Sequence, residues 1–195
     1  MQSFWDKIKG MISRPKEEPE DEELDISYTE KVPTDEEFVK NFTNSGGHFF
    51  YCENKQELRK YLKEIVTNEN IARFVCFDEK LQKFLGEINV AYQSHPSAIA
   101  EYSFVGCEGL IAFNGSIMLS SHNLGGRKIT EMADNFVIFA TTSQFHENSS
   151  GAMSHINRTR TGALPSGITS IGGRDSKPIE NLPNSKYIYL LLLEE

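Results

Sequence analysis

Residues 103–121, SFVGCEGLIAFNGSIMLSS, are the stretch on which the fold depends. Two short apolar pieces, residues 103–105 and 110–113, precede the Asn-Gly-Ser sequence at residues 114–116, and a third piece, residues 117–119, follows it. Short apolar runs bounded by Gly and Asn are typical of strands joined by tight turns. The stretch therefore predicts a sheet that contains a tight backbone turn.

The turn itself has two interpretations. Asn114 and Gly115 tolerate a positive φ, so their turn can expose backbone N–H groups beside the Ser116 hydroxyl at a strand end. A small anion can bind to such a group of donors. An ordinary Asn-Gly hairpin has the same sequence, so the turn alone does not establish a ligand site.

Strands and helices alternate along the rest of the chain. Capping signatures at Thr34 and Asn54 predict the starts of two helices, with the strand HFFYC, residues 48–52, between them. Other apolar runs predict a short helix at residues 81–85 and strands at residues 72–77, 88–92, 136–141 and 187–193. Residues 144–165 are polar and weakly periodic, so we expect an exposed excursion there. The alternation predicts an α/β fold with a mostly parallel sheet that is covered on both faces.

The acidic charge of the chain has a local origin. The 195 residues carry a net charge of -8, and residues 16–37 hold 11 carboxylates against 2 lysines, which leaves +1 for the remainder. A long basic face for nucleic acid is therefore not expected. No apolar run approaches the length of a membrane span, and Trp5, Asp6 and Lys7 stand where a signal peptide needs its apolar core. We therefore expect a cytoplasmic protein without a nucleic-acid partner.

Residues 1–33 are expected to stand apart from a folded domain at residues 34–195. An apolar stripe at helical spacing opens the chain, formed by Phe4, Trp5, Ile8, Met11 and Ile12. Residues 14–25 are charged and contain proline, so burial cannot offset the entropy cost of ordering them, and they predict a flexible linker. We expect the stripe to dock on the domain or on a second copy in a homo-oligomer, rather than on a membrane. A frayed terminal helix is the alternative.

Residues with ligating or nucleophilic side chains form no evident centre in the sequence. Cys52, Cys76 and Cys107 are far apart and lie in apolar contexts, so we predict core thiols, without zinc or an iron–sulfur cluster. The five histidines lack the spacing of a metal site, and no cofactor is expected. Glu108 is a catalytic candidate, because a carboxylate desolvated between strands can act as a general base or nucleophile. A loop carboxylate in water fits the same sequence.

One combination, a pliable backbone beside polar or charged side chains, occurs three times. Its members are Asn114-Gly115-Ser116, Gly125-Gly126-Arg127 and Gly172-Gly173-Arg174-Asp175. In open α/β sheets such loops lie at the carboxyl ends of strands, where ligands bind. We therefore predict that the three loops share one crevice for a small anion, with Arg127 or Arg174 giving charge-assisted hydrogen bonds.

An ordered set of motifs resembles the LUD domain, the family of lactate-utilisation protein C. Residues 37–47 and the HFFYCENKQEL that follows resemble the opening of that domain. GLIAFNGSIMLSS is similar to its Ala-Glu-Thr-Gly-Thr segment, and FVIFATTSQ to the valine-rich strand after it. ITSIGGRDSKPIENLP is similar to its late Gly-Pro-Ser-Arg-Thr-Ala-Asp-Ile-Glu loop. The resemblance spans about residues 34–195.

This resemblance implies a three-layer sandwich like those of ribose-5-phosphate isomerase, glucosamine-6-phosphate deaminase and the coenzyme A transferases. It also implies a role in the oxidation of L-lactate to pyruvate together with iron–sulfur partner proteins. Gly115, Ser116 and Arg174 match the family pattern. Phe113 and Asn114 stand where many relatives have Glu-Thr, so a function that needs that carboxylate is not expected here.

Two classes of function are therefore carried forward. The first is an accessory subunit of lactate utilisation that binds a small anionic ligand and has no cofactor of its own. The second is a stand-alone enzyme that acts on a phosphosugar or an acyl thioester and needs a buried base, for which Glu108 is the candidate. Burial of Glu108 beside Ser116 would favour the second class.

Overall fold

The structure, a computed structural model, describes residues 32–159, 167–173 and 185–195. Its helices are α1 (Thr34–Asn44), α2 (Lys55–Asn68), α3 (Glu79–Glu87) and α4 (Ser149–Thr159). Its strands are β1 (His48–Cys52), β2 (Arg73–Val75), β3 (Ala91–Gln93), β4 (Tyr102–Gly106), β5 (Gly109–Ile111), β6 (Ser116–Leu119), β7 (Asn135–Thr141), β8 (Phe145–His146), β9 (Thr169–Gly173) and β10 (Ser185–Leu193). The predicted N-terminal stripe and linker lie outside the described residues, and their separation from the domain stays a prediction.

The central sheet is parallel, with the strand order β3-β2-β4-β7-β10-β1. The apolar strand β10 lies inside it and pairs with β7 on one side and with β1 on the other. Helices α2 and α3 cover one face. Their buried side chains pack in one cluster with Phe74, Phe104, Val137 and Leu191 from four strands of the sheet.

The opposite face is covered by α1 and by a smaller mixed sheet with the order β8-β5-β6-β9. Helix α1 packs on β1, β8 and β9, and α4 packs on β5 and β8. Strand β9 also pairs with the first residues of β10, which joins the two sheets. The prediction of an α/β fold with a mostly parallel central sheet covered on both faces is confirmed.

Side-chain caps begin the two helices that follow central strands. The Asn54 Oδ1 accepts hydrogen bonds from the backbone N–H groups of Gln56 and Glu57, and so starts α2 as predicted. The Asp78 Oδ1 does the same at the start of α3. The capping signature at Thr34 was misplaced, because Thr34 is the first residue inside α1 and Pro33 before it provides no side-chain cap.

The expected excursion at residues 144–165 was wrong over half of its length, because residues Ser149–Thr159 form α4, and residues 160–165 lie outside the described residues. The polar composition of this helix hides its single apolar stripe. Ala152 and Ile156 are buried, four residues apart, and they pack against Ile111 and Met118 of the smaller sheet. Packing of that narrow stripe, rather than helix propensity, stabilises the segment.

The three cysteines are free and buried, which confirms the prediction of core thiols. Burial raises the pKa of Cys52 and of Cys76 to about 12. Burial and the nearby Glu108 carboxylate raise the pKa of Cys107 as well. All three therefore stay as unreactive thiols at neutral pH.

Close backbone contacts join the end of α1 to the smaller sheet. A Cβ on Gly115, where φ is +65°, would overlap the backbone N of Phe42 in α1. A Cβ on Gly173 would overlap the carbonyl oxygen of Ser45, just after α1. The Asn41 Nδ2 donates to the carbonyl of Ala112 at 2.8 Å, which fastens the same turn to the helix. These glycines are therefore required by packing.

We predict that Gly115→Ala is much more destabilising than Gly126→Ala, although both glycines have a positive φ. A Cβ on Gly126, at φ +82°, meets nothing within 4 Å, so its substitution costs only the strain of the left-handed backbone, about 1–2 kcal/mol. Gly115→Ala adds a forced separation of the turn from α1, at about 1–3 kcal/mol more. Urea unfolding of the two variants measures the difference, and equal losses would show that the packing at Gly115 is unimportant.

Candidate functional site

The described parts of the three glycine loops are distributed over both ends of β6. The loops at residues 114–116 and 172–173 lie together, because β6 and β9 are antiparallel and Ile117 is opposite Ile171. The loop at residues 125–127 follows the other end of β6, a strand of four residues that is roughly 10 Å long. Arg174 and Asp175 lie outside the described residues. Anion binding by these loops stays a prediction, without support from a shared position.

The first loop is a self-contained turn. The Asn114 Oδ1 accepts hydrogen bonds from the Ser116 backbone N–H at 3.1 Å and from the Ser116 hydroxyl at 2.7 Å. Ser116 is fully buried, and Gly115 packs on α1. The donors that the sequence suggested for an anion are therefore used within the turn.

The second loop is also held by the protein itself. The Arg127 Nη1 donates to the carbonyl oxygen of Ala98 at 2.8 Å, and its Nη2 donates to the carbonyl of Glu131. A Cβ on Gly125, where φ is +61°, would lie 2.5 Å from the ring of Phe77 at the end of β2. The guanidinium thus ties the loop to Ala98 and Glu131, while Gly125 packs against Phe77 just after β2.

Glu108 is buried next to this second loop. Its Oε1 accepts a hydrogen bond from the Ser120 hydroxyl at 2.6 Å, and the Ser120 backbone N–H donates to the Asn123 Oδ1 at 2.8 Å. Glu108 is 9% exposed and Ser120 is fully buried. The carboxylate therefore lies beside Ser120 rather than beside Ser116, at the junction of β4 and β5.

A cleft opens at the carboxyl edge of the central sheet, between α2 and α3. Both helices begin at that edge because each follows a parallel strand. Helix α2 packs on β1 and β10, and α3 packs on β3 and β4, so the middle strand β7 is left between them. Phe139 and Thr141 of β7 and Leu193 of β10 form the floor. The carboxyl edge is where ligands bind in open α/β sheets.

Cationic side chains from both helices line this cleft, which we call the cationic cleft. They are Lys55 and Arg59 from α2 and Lys80 and Lys83 from α3. The carboxylates in the lining are Asp78, Glu87 and Glu195, so the net charge of the lining is +1. Among the described residues, no carboxylate lies within ion-pair distance of the ammonium groups of Lys55, Lys80 or Lys83. These three groups are open to an anion, and of them Lys55 also interacts electrostatically with Glu87 beyond ion-pair distance, which contributes to the lowered pKa of Glu87.

The fourth cation and the carboxylates already have partners. Arg59 forms an ion pair with Glu87 and lies 5.8 Å over the centre of the Phe84 ring. The hydrogen bond from Arg59 holds the pKa of Glu87 below its ordinary value. Asp78 caps α3, and the Glu195 Oε2 accepts a hydrogen bond from the Ser143 hydroxyl at 2.9 Å.

The cationic cleft has the size of a small-molecule site. Its volume is about 460 Å³, within the range of about 300–1,000 Å³ usual for such sites. Another cavity, of about 370 Å³, lies at the amino ends of β2 and β4 and is lined by Arg73, Ile99 and Tyr102 among others. Of these two cavities, only the cationic cleft lies at the carboxyl edge of the sheet, where ligands usually bind, and is lined by several cations without an ion-pair partner.

Sequence reasoning did not find this cleft. Lys55 and Lys80 lie 25 positions apart, and neither belongs to a glycine-rich loop. The sequence nevertheless contained a signal for the cleft. Lys55 and Lys80 each follow a predicted strand and a residue that can cap a helix. Two such lysines must lie at the same edge once the strands are parallel.

Ligating side chains do not form a metal centre in the described part of the chain. Residues 32–159, 167–173 and 185–195 contain no group of three or more His, Cys, Asp or Glu side chains placed to hold an ion. The His146 and His155 rings lie 5.2 Å apart, and burial lowers the pKa of His146. Among the helices of the described residues, none is long and apolar enough to cross a membrane.

We predict that Ser120→Ala destabilises the protein by about 1–3 kcal/mol, because it removes a hydrogen bond from a buried carboxylate. Ser143→Ala is the matched control, because it also removes a serine hydrogen bond to a glutamate but at an exposed position, where the cost is below about 1 kcal/mol. Chemical unfolding of both variants at neutral pH provides the test. A Ser120 loss no larger than the Ser143 loss would contradict the burial of this pair.

Comparison with known proteins supports the fold and not a family assignment. No family model matches the sequence, and no curated protein matches it. The crystal structure of a DUF162 family protein from Deinococcus radiodurans is similar, with a TM-score of 0.62 over 86% of this chain and 100% of that chain. DUF162 proteins have a LUD-like domain. The two sequences are 12% identical, so the likeness shows that this chain has the fold of a DUF162 family protein.

Proposed function

We propose that this chain is a LUD-like accessory protein of lactate oxidation and that it binds a small anionic ligand in the cationic cleft. Two lines support the LUD-like assignment: the order of the motifs in residues 34–195, and the likeness of the fold to a DUF162 family protein. In this proposal, iron–sulfur partner proteins in the cytoplasm oxidise L-lactate to pyruvate, and this chain supplies binding rather than electron transfer.

The observation that carries the binding role is the set of unpaired lysines at the carboxyl edge of the sheet. Lys55 and Lys80 lie in the first turns of α2 and α3, and Lys83 lies one turn along α3. The positive ends of two helix dipoles point toward the same edge. An anion in the cleft therefore gains from three ammonium groups that no described carboxylate neutralises by direct contact.

A second candidate function rests on Glu108. A buried carboxylate that accepts a short hydrogen bond from Ser120 is the kind of group that a stand-alone enzyme acting on a phosphosugar or acyl thioester needs as a base. Glu108 lies at the carboxyl end of β4, on the same edge of the sheet as the cleft. The accessory role is preferred because the cationic cleft is open, whereas Glu108 already has a hydrogen-bond donor.

Titration calorimetry of the full chain with L-lactate, pyruvate and inorganic phosphate tests the binding role. We expect at least one of these anions to bind, and we expect Lys80→Ala to weaken that binding about 10-fold, since a charge-assisted hydrogen bond contributes about 1.5–3 kcal/mol. Lys63→Ala is the matched control, because Lys63 is an exposed lysine of α2 that does not line the cleft. Equal losses for both variants would show that binding depends on general charge and not on the cleft.

The accessory role has its own test. Affinity purification of the full chain from native cells should recover a protein that contains iron and sulfide and oxidises L-lactate. Recovery of the chain alone, together with turnover of a phosphosugar or acyl thioester that Glu108→Gln abolishes, would establish the enzyme instead.

A further inference from the structure

The cationic cleft has an apolar floor that a small carboxylic acid does not cover. Phe139 lies on the central strand β7, which pairs with a neighbour on each side, yet its side chain is only partly buried. Phe84 of α3 is also partly buried, and the two ring centres lie 6.1 Å apart with a tilt of 34°. Side chains on an inner parallel strand are normally covered completely. The gap between α2 and α3 leaves these rings accessible from the cleft.

The volume of the cleft also indicates a ligand larger than a small carboxylic acid. A space of about 460 Å³ corresponds to on the order of fifteen water molecules. A three-carbon acid or a single phosphate fills only a small part of it. A ligand that fills the cleft therefore has a larger apolar or planar part as well as an anionic group.

The cations lie at the mouth and the rings below them. Lys55 and Lys80 belong to the first helical turns at the carboxyl edge of the sheet, whereas Phe84 is one turn further along α3. The Arg59 guanidinium lies over the Phe84 ring at 5.8 Å, and a planar guanidinium is itself a surface on which a ring can stack. An anionic group at the mouth thus places an attached ring near Phe84 and Phe139.

Backbone amides are not the expected phosphate donors here. The Asn54 Oδ1 and the Asp78 Oδ1 already accept hydrogen bonds from the N–H groups at the starts of α2 and α3. The ammonium groups of Lys55, Lys80 and Lys83 are the donors in the lining that have no ion-pair partner among the described residues. This arrangement is consistent with a sequence that has no glycine-rich phosphate-binding motif after its first strand.

We propose that the cationic cleft binds a nucleoside phosphate, with its phosphate between Lys55 and Lys80 and its planar base against Phe84 and Phe139. The inference rests on the proposed function in that it takes the cleft as the ligand site, and it goes further by naming the ligand class. Stacking supplies the contribution that a simple anion lacks, since a base on an aromatic ring adds to binding independently of sequence-specific hydrogen bonds.

Calorimetry on the full chain tests the inference with ADP, ribose 5-phosphate, adenosine and inorganic phosphate as probes. We expect ADP to bind at least 10-fold more tightly than ribose 5-phosphate. Lys80→Ala should weaken ADP and ribose 5-phosphate by similar factors, about 10-fold, whereas Lys63→Ala should change neither. Phe84→Leu should weaken ADP by several fold and leave ribose 5-phosphate unchanged. Because both ligands are compared on the same variant, a partial loss of folded protein does not imitate this selective effect.

The outcomes separate the two proposals. Equal affinities for ADP, ribose 5-phosphate and phosphate, all weakened by Lys80→Ala, would overturn the nucleoside phosphate and leave the anion site intact. Tight ADP binding that neither Lys80→Ala nor Phe84→Leu changes would overturn the assignment to this cleft. If none of these probes binds, and neither L-lactate nor pyruvate binds, the result would contradict both the inference and the anion-binding part of the proposed function.

Discussion

The two-sided pairing of β10 is the constraint on which the rest of the structure depends. Ile188, Leu190, Leu191 and Leu192 are fully buried, so this strand is apolar on both faces and is stable only inside a covered sheet. Its partners β1 and β7 are both parallel to it. Parallel strands need long crossover connections, and the crossovers after β1 and β2 contain α2 and α3. The two helices therefore begin at one edge of the sheet, with their positive ends toward the same space.

The cationic cleft is a consequence of that topology. Helix α2 packs on the strands at one side of the sheet and α3 on those at the other side, so β7 is left under the gap. The cap residues Asn54 and Asp78 satisfy the amides of the two helix starts, and the lysines at the mouth stay unpaired. The same strand, β10, also pairs with β9 of the smaller sheet. Gly173 of β9 packs against the backbone of Ser45, the residue that follows α1. Gly115 and Gly173 thus have a packing role at the end of α1, whereas the cleft is an open polar surface.

The sequence predicted the strands and helices that depend on local residue patterns. It did not predict features that depend on contacts between residues far apart in the chain. Apolar runs and the cap at Asn54 identified the central strands and α2, because burial and capping act on neighbouring residues. Helix α4 was missed because its stripe contains little more than Ala152 and Ile156, and packing rather than composition stabilises it. The predicted crevice of three glycine loops rested on local similarity alone. Their positions relative to each other depend on the strands that separate them, since residues 114–116 lead into β6 and residues 125–127 follow its other end.

Glu108 is a single-residue example of an environment that local sequence pattern does not predict. Its sequence context allowed both a solvated and a buried carboxylate, and the structure places it in the interior with Ser120 as a donor. Ser120 is twelve positions away and comes opposite only through the antiparallel pairing of β5 with β6. The burial of Glu108 after β4 and the accessibility of the lysines around β7 give two neighbouring parts of one sheet edge different chemistry. That contrast is the reason for preferring a binding role over a catalytic one.

We propose that an anion binds in the cationic cleft and not at the glycine turns. Titration of the isotopically labelled full chain with ADP, followed by amide chemical shifts in NMR spectra, tests it most directly. We expect the largest shifts at Lys55, Lys80 and Thr141, which line the cleft. Shifts confined to residues 114–116 and 172–173, with Lys55, Lys80 and Thr141 unchanged, would contradict it.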